Sequence, residues 1–214
     1  DVKSATVIVD GKEIPYQIDD LDGNGTNDEL CFLVDLEGKQ TKTATITLSN
    51  KADGKQWKAR TFAEMVLRNP KVKEKNKHDI YLSSITIDKR TTNPYNVLHH
   101  HGVAFESELI AMRIYMDKRQ TIDLYGKFHK GLELEQTQFY TSKEQKAKGY
   151  GDDVLWVGNT FGLGAFRGWN GTEPTLLEDV EHRTQRILTT GPLRTIVEVE
   201  DNQWTITPGA EPVN

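Results

Sequence analysis

The densest run of chemistry-bearing side chains lies between His99 and Lys127, HHHGVAFESELIAMRIYMDKRQTIDLYGK, and includes Glu106, Arg113, Tyr115, Asp123 and Tyr125. A strand needs none of these polar groups to fold, so their placement is the first functional clue. Along residues 105–115 side chains alternate between two faces. Phe105, Ser107, Leu109, Ala111, Arg113 and Tyr115 share one face, and Ile110, Met112, Ile114 and Met116 share the other. Matching these apolar residues to Ile122 and Leu124 of a return strand pairs Met116 with Ile122 and Ile114 with Leu124, because a one-residue slip would bury charges. That register sets Tyr115 opposite Asp123 and Arg113 opposite Tyr125, across a loop at Lys118-Arg119-Gln120. A guanidinium, two phenols and a carboxylate then gather on one side of a sheet. Arginine grips carboxylate or sulfate through a forked pair of hydrogen bonds, and a tyrosine beside a cation can serve as acid or base. The competing reading is a solvated face with cross-strand ion pairs. Tyr115 sealed in an apolar interior, or Arg113 and Asp123 on opposite surfaces, would remove the site.

The adjacent histidines His99, His100 and His101 add to this cluster. In extended chain His99 and His101 point one way and His100 the other. The first reading is a general base or substrate contact from His100 or His101 beside the arginine. The second is a polar loop entering a strand. The third is a zinc site completed by Glu106 or His129.

A second polar region runs from Tyr150 to Gly171. Asp152 and Asp153 resemble a glycosidase acid pair, but neighbours in extended chain point apart, so at most one reaches a site. Aromatic rings stack on sugar faces, with a few polar groups fixing orientation. Trp156 lies in an apolar run that reads as core, whereas Arg167 and Trp169 share a face beside the Asn170-Gly171 turn and read as substrate contacts.

The third candidate is the Asp-rich turn Asp20-Leu-Asp22-Gly-Asn24-Gly25-Thr26-Asn-Asp28. Asp20, Asp22 and Asn24 hold positions one, three and five of a calcium loop. Thr26 would offer its carbonyl, and Asp28 fills position nine. Cys31 replaces the usual bidentate Glu at position twelve, where Glu29 could substitute in a shorter loop. The flanks read as strands, so this is no EF-hand. A structural Ca2+ ion and a metal-free hairpin held by side-chain-to-backbone bonds both fit.

The elements that must position these groups are short alternating runs broken by Gly, Asn, Asp and Pro, the pattern of an all-β fold. Strands are predicted at 5–9, 14–19, 29–36, 42–48, 80–87, 102–116, 121–126, 132–140, 154–158, 163–169, 184–190 and 193–200. Asp10-Gly11, Asp22 to Gly25, Glu37-Gly38, Asn170-Gly171 and Gly191-Pro192 read as turns. Ser142 to Gln145 reads as a capping box opening a short helix that Gly149 stops. Residues 60–67 fit either helix or strand. The Lys-rich stretch 68–79 reads as a solvated loop between an N-terminal β region (1–67) and a main β-sandwich region (80–214).

The chain has 214 residues and a net charge of −5. That length supports a sizeable core. A mildly acidic chain without a basic stripe argues against nucleic acid as a partner, and no apolar run is long enough to span a bilayer. The lone Cys31, in an apolar run, reads as a packed thiol and excludes an internal disulfide. Asp1 shortly precedes a strand, and Pro208 to Asn214 carry no element signal. The N-terminus therefore reads as processed or trimmed, and the C-terminus as lacking a further portion.

The words HGVAFESELIAMRIYMDKRQTIDLYGK, GLELEQTQFY, GYGDDVLWVGNTFGLGAFRGW, GPLRTIVEVE and EIPYQIDDLDGNGTNDELCFLVDL together resemble the domain-of-unknown-function family DUF4861. That family occurs in polysaccharide-utilisation loci of gut and marine bacteria. The resemblance covers nearly the whole chain. It implies an antiparallel β-sandwich similar to the galactose-mutarotase-like supersandwich, a periplasmic or otherwise exported location, and a dehydratase-like action on uronate-ended oligosaccharides. The family's words fall here on His100, His101, Glu106, Arg113, Tyr115, Asp123, Tyr125, Asp152 and Trp169.

The expectation is thus a carbohydrate-active enzyme that eliminates water or alcohol from acidic oligosaccharides. Arg113 would neutralise the uronate carboxylate, and His100, His101 or Tyr115 would take the neighbouring proton. Glu106, Asp123, Tyr125, Asp152, Arg167 and Trp169 would contact substrate. Glycoside hydrolysis, or a non-catalytic sugar-binding β module with a calcium turn, are the alternatives.

Overall fold

The computed structural model describes residues 1–68 and 80–213, so most of the 68–79 stretch lies outside the described residues. The fold is all-β, in separate antiparallel sheets none of which closes, as in a β-sandwich. The first sheet orders β2 (Lys12–Ile14), β1 (Ser4–Val9) and β5 (Ala44–Ser49). Asp10 and Gly11, with φ of 52° and 74°, make the tight turn between β1 and β2. β3 (Tyr16–Asp19) pairs with β4 (Glu29–Phe32) around the Asp-rich turn. Residues 14–19 are therefore broken at Pro15, which has no N–H to donate to a ladder.

The central sheet has five strands, ordered β11 (Asp152–Asp153), β10 (Ile122–Gly126), β9 (Ile110–Tyr115), β8 (Gly102–Ser107) and β6 (Thr61–Glu64). The 60–67 stretch is thus a strand, and it pairs with β8 through Thr61–Ser107 and Glu64–Ala104. Residues 102–116, expected as one strand, are two. They fold back at Glu108-Leu109, so Val103 lies opposite Ile114 and Ala104 opposite Arg113.

A three-stranded sheet of β15 (Thr195–Asn202), β14 (His182–Thr190) and β7 (Ser84–Asp88) packs on one face of the central sheet. Met65, Leu98, Val103, Ile114, Ile187 and Val197 fill the space between them. Gln185 is completely buried there and spans the layers, accepting from Val103 N at 2.8 Å and donating to Ile114 O at 3.0 Å. Two minor strands, β12 (Gly168–Trp169) and β13 (Pro174–Thr175), pair with each other.

The opposite face of the central sheet is covered by irregular chain. Residues 132–140, expected as a strand, form turns that lay Leu134 and Phe139 on Ala104, Ala111 and Tyr125. The capping box at Ser142 is present and opens α1 (Lys143–Ala147), with Gly149 at φ 85° beyond it. Residues 154–158 form no strand, and of 163–169 only Gly168 and Trp169 do. This stretch instead runs along the outer edge of β10, where Val154 N donates to Leu124 O and Ile122 N to Gly164 O. Gly151 permits the close approach, since a Cβ there would stand 1.9 Å from Gly126 O. Side chains on this face of β8, β9 and β10 are therefore enclosed, although sequence alternation marks them as the polar ones.

Candidate functional site

The register of β9 with β10 differs from the expected one by two residues. Ile122 pairs with Ile114, Asp123 with Arg113 and Tyr125 with Ala111. The connection is longer than three residues because Gln120 turns at φ 42° and Tyr115 N still donates to Thr121 O. A shift of two preserves the faces. Arg113, Tyr115 and Asp123 therefore do converge, and on the buried side.

Arg113 is the centre of the cluster. Its Nε and Nη2 donate to Asp123 Oδ2 at 2.9 and 2.5 Å, and Nη2 donates to Tyr140 Oη at 2.6 Å. The same nitrogen lies 3.3 Å from Tyr115 Oη and 3.4 Å from Asp153 Oδ2. The guanidinium sits 4.1 Å from the centre of the Phe139 ring. Burial opposes its charge, but Tyr115, Asp123 and Tyr140 outweigh that and hold its pKa above the ordinary value. Asp123 is saturated: Oδ2 also accepts from Tyr115 Oη at 3.0 Å, and Oδ1 from Leu124 N at 2.8 Å. Tyr115 is sealed from solvent, yet in a polar setting. Burial, with Asp123 adding and Arg113 opposing, pushes its phenol well up, which argues against the expected role as base.

A hollow of about 120 Å³ opens beside this cluster, lined by Tyr95, Tyr115, Arg119, Asp123, Tyr140, Asp153 and the 155–158 loop. Trp156 stands at its rim and is 91 % exposed, not in the core as its apolar neighbours suggest. Arg119 lies over the rings of Tyr95 and Tyr115, each at 4.8 Å. Its Nη2 donates to Asp117 Oδ2 at 2.5 Å, and that bond is the main cause of its raised pKa. Arg167 Nη1 donates to Arg119 O at 2.5 Å, so Arg167 buttresses this loop and does not line the hollow. Asp153 Oδ1 accepts from Leu155 N at 3.0 Å, Oδ2 lies 3.4 Å from Arg113 Nη2, and its carboxyl also hydrogen-bonds that of Asp123. Burial first, and the Asp123 carboxylate second, push Asp153 up to about 6.

The remaining expected residues are placed elsewhere. Asp152 faces away, accepting from Thr141 N at 2.9 Å and pairing with Lys146. Burial would raise its pKa, but Lys146 and Thr141 outweigh burial and lower it. Alternation therefore sends Asp153 inward. Glu106 is buried, paired with Lys127, and accepts from Glu133 N and Leu134 N at 2.9 Å. Tyr125 Oη donates to Glu133 Oε2 at 2.7 Å. Both anchor the covering loop and neither lines the hollow. Trp169 is exposed on β12, away from it.

The histidine run is not extended: His101 N donates to Leu98 O and His101 takes φ 65°. His99 and His100 rings consequently touch at 4.7 Å instead of pointing apart. His100 is buried with Nε2 2.9 Å from Glu64 Oε1. His101 stacks on Tyr95 at 3.8 Å and donates from Nδ1 to Tyr95 O at 2.9 Å. Burial, reinforced by Arg113, Arg68 and Arg119, pulls it down to about 4, so the ring is neutral at pH 7. These histidines do not converge with Glu106 or His129 on a metal-sized point; among the described residues only Asp20, Asp22 and Asp28 do so.

Ligand oxygens of those three acids lie within 4.8 Å of one another. Asp20 caps Asn24 N at 3.1 Å and Gly25 N at 2.7 Å, Asp28 caps Leu21 N, and Asn24 Oδ1 accepts from Thr26 N. Glu29 is committed to Arg194 and does not complete the set. Cys31 is half-buried, and burial raises its thiol pKa.

A larger cavity, about 750 Å³, is lined mainly by apolar side chains such as Ile114, Ile122, Phe166, Leu177 and Trp204. Its acid, Asp201, is bonded to Gln120 and Arg183, so reactive groups concentrate in the smaller hollow. Tyr95, Arg119 and Tyr140 were not singled out as site residues by sequence, Asp153 was weighed only as the partner of Asp152, and Trp156 was read as core. The one available signal was the opposed parity of Asp152 and Asp153.

No curated protein and no solved structure matches this chain. The model of the domain of unknown function DUF4861 matches residues 1–214, and the chain belongs to that family.

Proposed function

We propose that this protein acts on acidic oligosaccharides by a lyase-like elimination, at the hollow beside Arg113. The observation that carries the reading is Trp156, a fully presented indole at the rim of a pocket walled by Arg119, Tyr140 and Asp153. An exposed aromatic ring beside a polar hollow offers a flat apolar platform, and the face of a sugar ring is a ligand that fits it. The hollow is smaller than the roughly 300–1,000 Å³ of sites for drug-sized ligands. It suits the terminal ring of a chain.

Arg113 is buried and does not line the hollow, so the role of meeting the uronate carboxylate passes to Arg119, which also pairs with Asp117 but lines the hollow and is partly exposed. A cation there stabilises the negative charge that develops when the adjacent proton leaves. Glycoside hydrolysis needs two free carboxyl groups, and of the two that line the hollow Asp123 is buried and held by Arg113 and Tyr115, while Asp152 faces Lys146, which favours elimination.

Incubation with uronate-ended oligosaccharides should give a product lighter by one water, seen by mass spectrometry. Trp156→Ala should weaken substrate affinity about tenfold while leaving stability within about 0.5 kcal/mol, as for an exposed substitution. Binding without any product would instead assign a carbohydrate-binding module.

A further inference from the structure

We propose that Asp153 is the proton shuttle of this site: its carboxylate takes the proton from the carbon beside the substrate carboxylate and delivers it to the departing hydroxyl. This rests on the elimination reading above and names the residue that performs it. The titratable groups that line the hollow with Asp153 are Asp123 on β10, Tyr115 at the end of β9, Arg119 after it, Tyr95 and Tyr140, and Arg113 on β9 stands behind them, 3.4 Å from Asp153 Oδ2. Asp123, Tyr115 and Tyr140 are unsuited to move a proton at neutral pH, and Arg113 and Arg119 stay cationic. Asp123 is saturated by Arg113, Tyr115 and Leu124 N. Tyr115 donates a hydrogen bond to Asp123, and its phenol is pushed far up and keeps its proton. Tyr140 Oη is held by Arg113 at 2.6 Å, and burial raises its pKa despite that cation. His101 is fixed by its stack and its bond to Tyr95 O, and it is a weak base.

Asp153 differs in three respects. It lines the hollow, it ends the short β11 whose backbone is locked by pairing with Tyr125, and its Oδ2 has no bond shorter than 3.4 Å to Arg113. Burial first and the Asp123 carboxylate second raise its basicity, so at pH 7 it is ionised yet more basic than an ordinary aspartate. Asp123 and Arg113 act as positioning residues for it.

The step balances within the substrate. The C–H bond breaks as its hydrogen passes to Asp153, and that electron pair forms the C=C bond. The C–O bond breaks, the departing hydroxyl takes the proton from Asp153, and water leaves with the carboxylate restored. No oxidant, reductant or metal is needed.

The test pairs Asp153→Asn and Asp153→Glu with wild type on a glucuronate-ended disaccharide, following water loss by mass and binding by Trp156 fluorescence. Carbonyl NMR of ¹³C-aspartate protein gives a readout independent of turnover. Expected are an aspartate titrating near pH 6 that vanishes in Asp153→Asn, and a wild-type acid limb in kcat/KM near that pH. Asp153→Asn should lose about 10²–10⁴-fold in kcat with disaccharide binding retained, and Asp153→Glu should recover part of the rate with a shifted limb. Active wild type with Asp153→Asn within tenfold of it, or an unshifted limb in Asp153→Glu, overturns the assignment and leaves elimination standing. Wild type that binds the disaccharide without water loss overturns both.

Discussion

A single buried guanidinium organises the chemistry. Arg113 sits among Asp123, Asp153, Tyr115 and Tyr140, and a charge in such a place is tolerable only because its partners are fixed. Asp123→Asn removes the principal one. It should destabilise the fold by up to about 3–5 kcal/mol in urea unfolding, the cost of breaking a buried pair. Asp153 then takes a larger share of the guanidinium, and its carboxyl should titrate closer to the usual range. An unchanged urea midpoint would show that Asp123 is not the counter-charge. Asp153 also carries a sign-specific pH effect. Its folded pKa is raised from 3.8 to about 6, so the folded state binds the proton more tightly across that window. Its contribution to stability therefore falls as pH rises from about 4 to 6. Asp153→Asn resembles the protonated form, so its stability relative to wild type should grow over that range and then level off. A difference that is flat with pH would refute the perturbed carboxyl.

At the scale of elements, the site depends on chain that is not regular. β8, β9 and β10 present alternate residues, and a sheet with one solvated face would have left Arg113 in water. The 127–160 excursion prevents this. Glu106, gripping Lys127 and two backbone amides, and Glu133, bonded to Tyr125 and Gly151 N, staple that excursion to the sheet. The Asp-rich turn between β3 and β4 stands apart from this machinery. Its acids already cap backbone amides, yet three carboxylates with oxygens within 4.8 Å repel one another, and a divalent cation would offset that repulsion. The calcium reading of this turn predicts that millimolar Ca2+ raises the melting temperature of chelator-treated protein. Asp22→Asn should abolish the rise. No shift with Ca2+ would leave the turn to its side-chain-to-backbone bonds.

Across the whole molecule, the N-terminal strands are knitted to the last hairpin. Gln17 Oε1 accepts from Leu193 N and Arg194 N at 3.0 Å, Asp19 bonds Arg194 at 2.8 Å, and Thr61 Oγ1 donates to Gly191 O. β6 meanwhile joins the central sheet through β8. Tryptophan fluorescence and far-ultraviolet circular dichroism should therefore report one coincident urea transition. Two separated transitions would show that these contacts do not couple the regions. Among the described residues no helix is long and apolar enough to cross a membrane.

Local sequence determined the all-β class, the Asp10-Gly11 turn, the Ser142 cap and the convergence of Arg113, Tyr115 and Asp123, because alternation and turn chemistry act over a few residues and survive a two-residue register error. Only the tertiary structure decided which side of the sheet was enclosed, since that depends on chain folding back from 127–160. For the same reason it alone placed Tyr95, Arg119, Tyr140 and Trp156 around one hollow, turned Asp153 inward in place of Asp152, and committed Glu106, Tyr125 and His100 to holding the scaffold. Contacts between residues far apart in sequence leave no periodic trace in it.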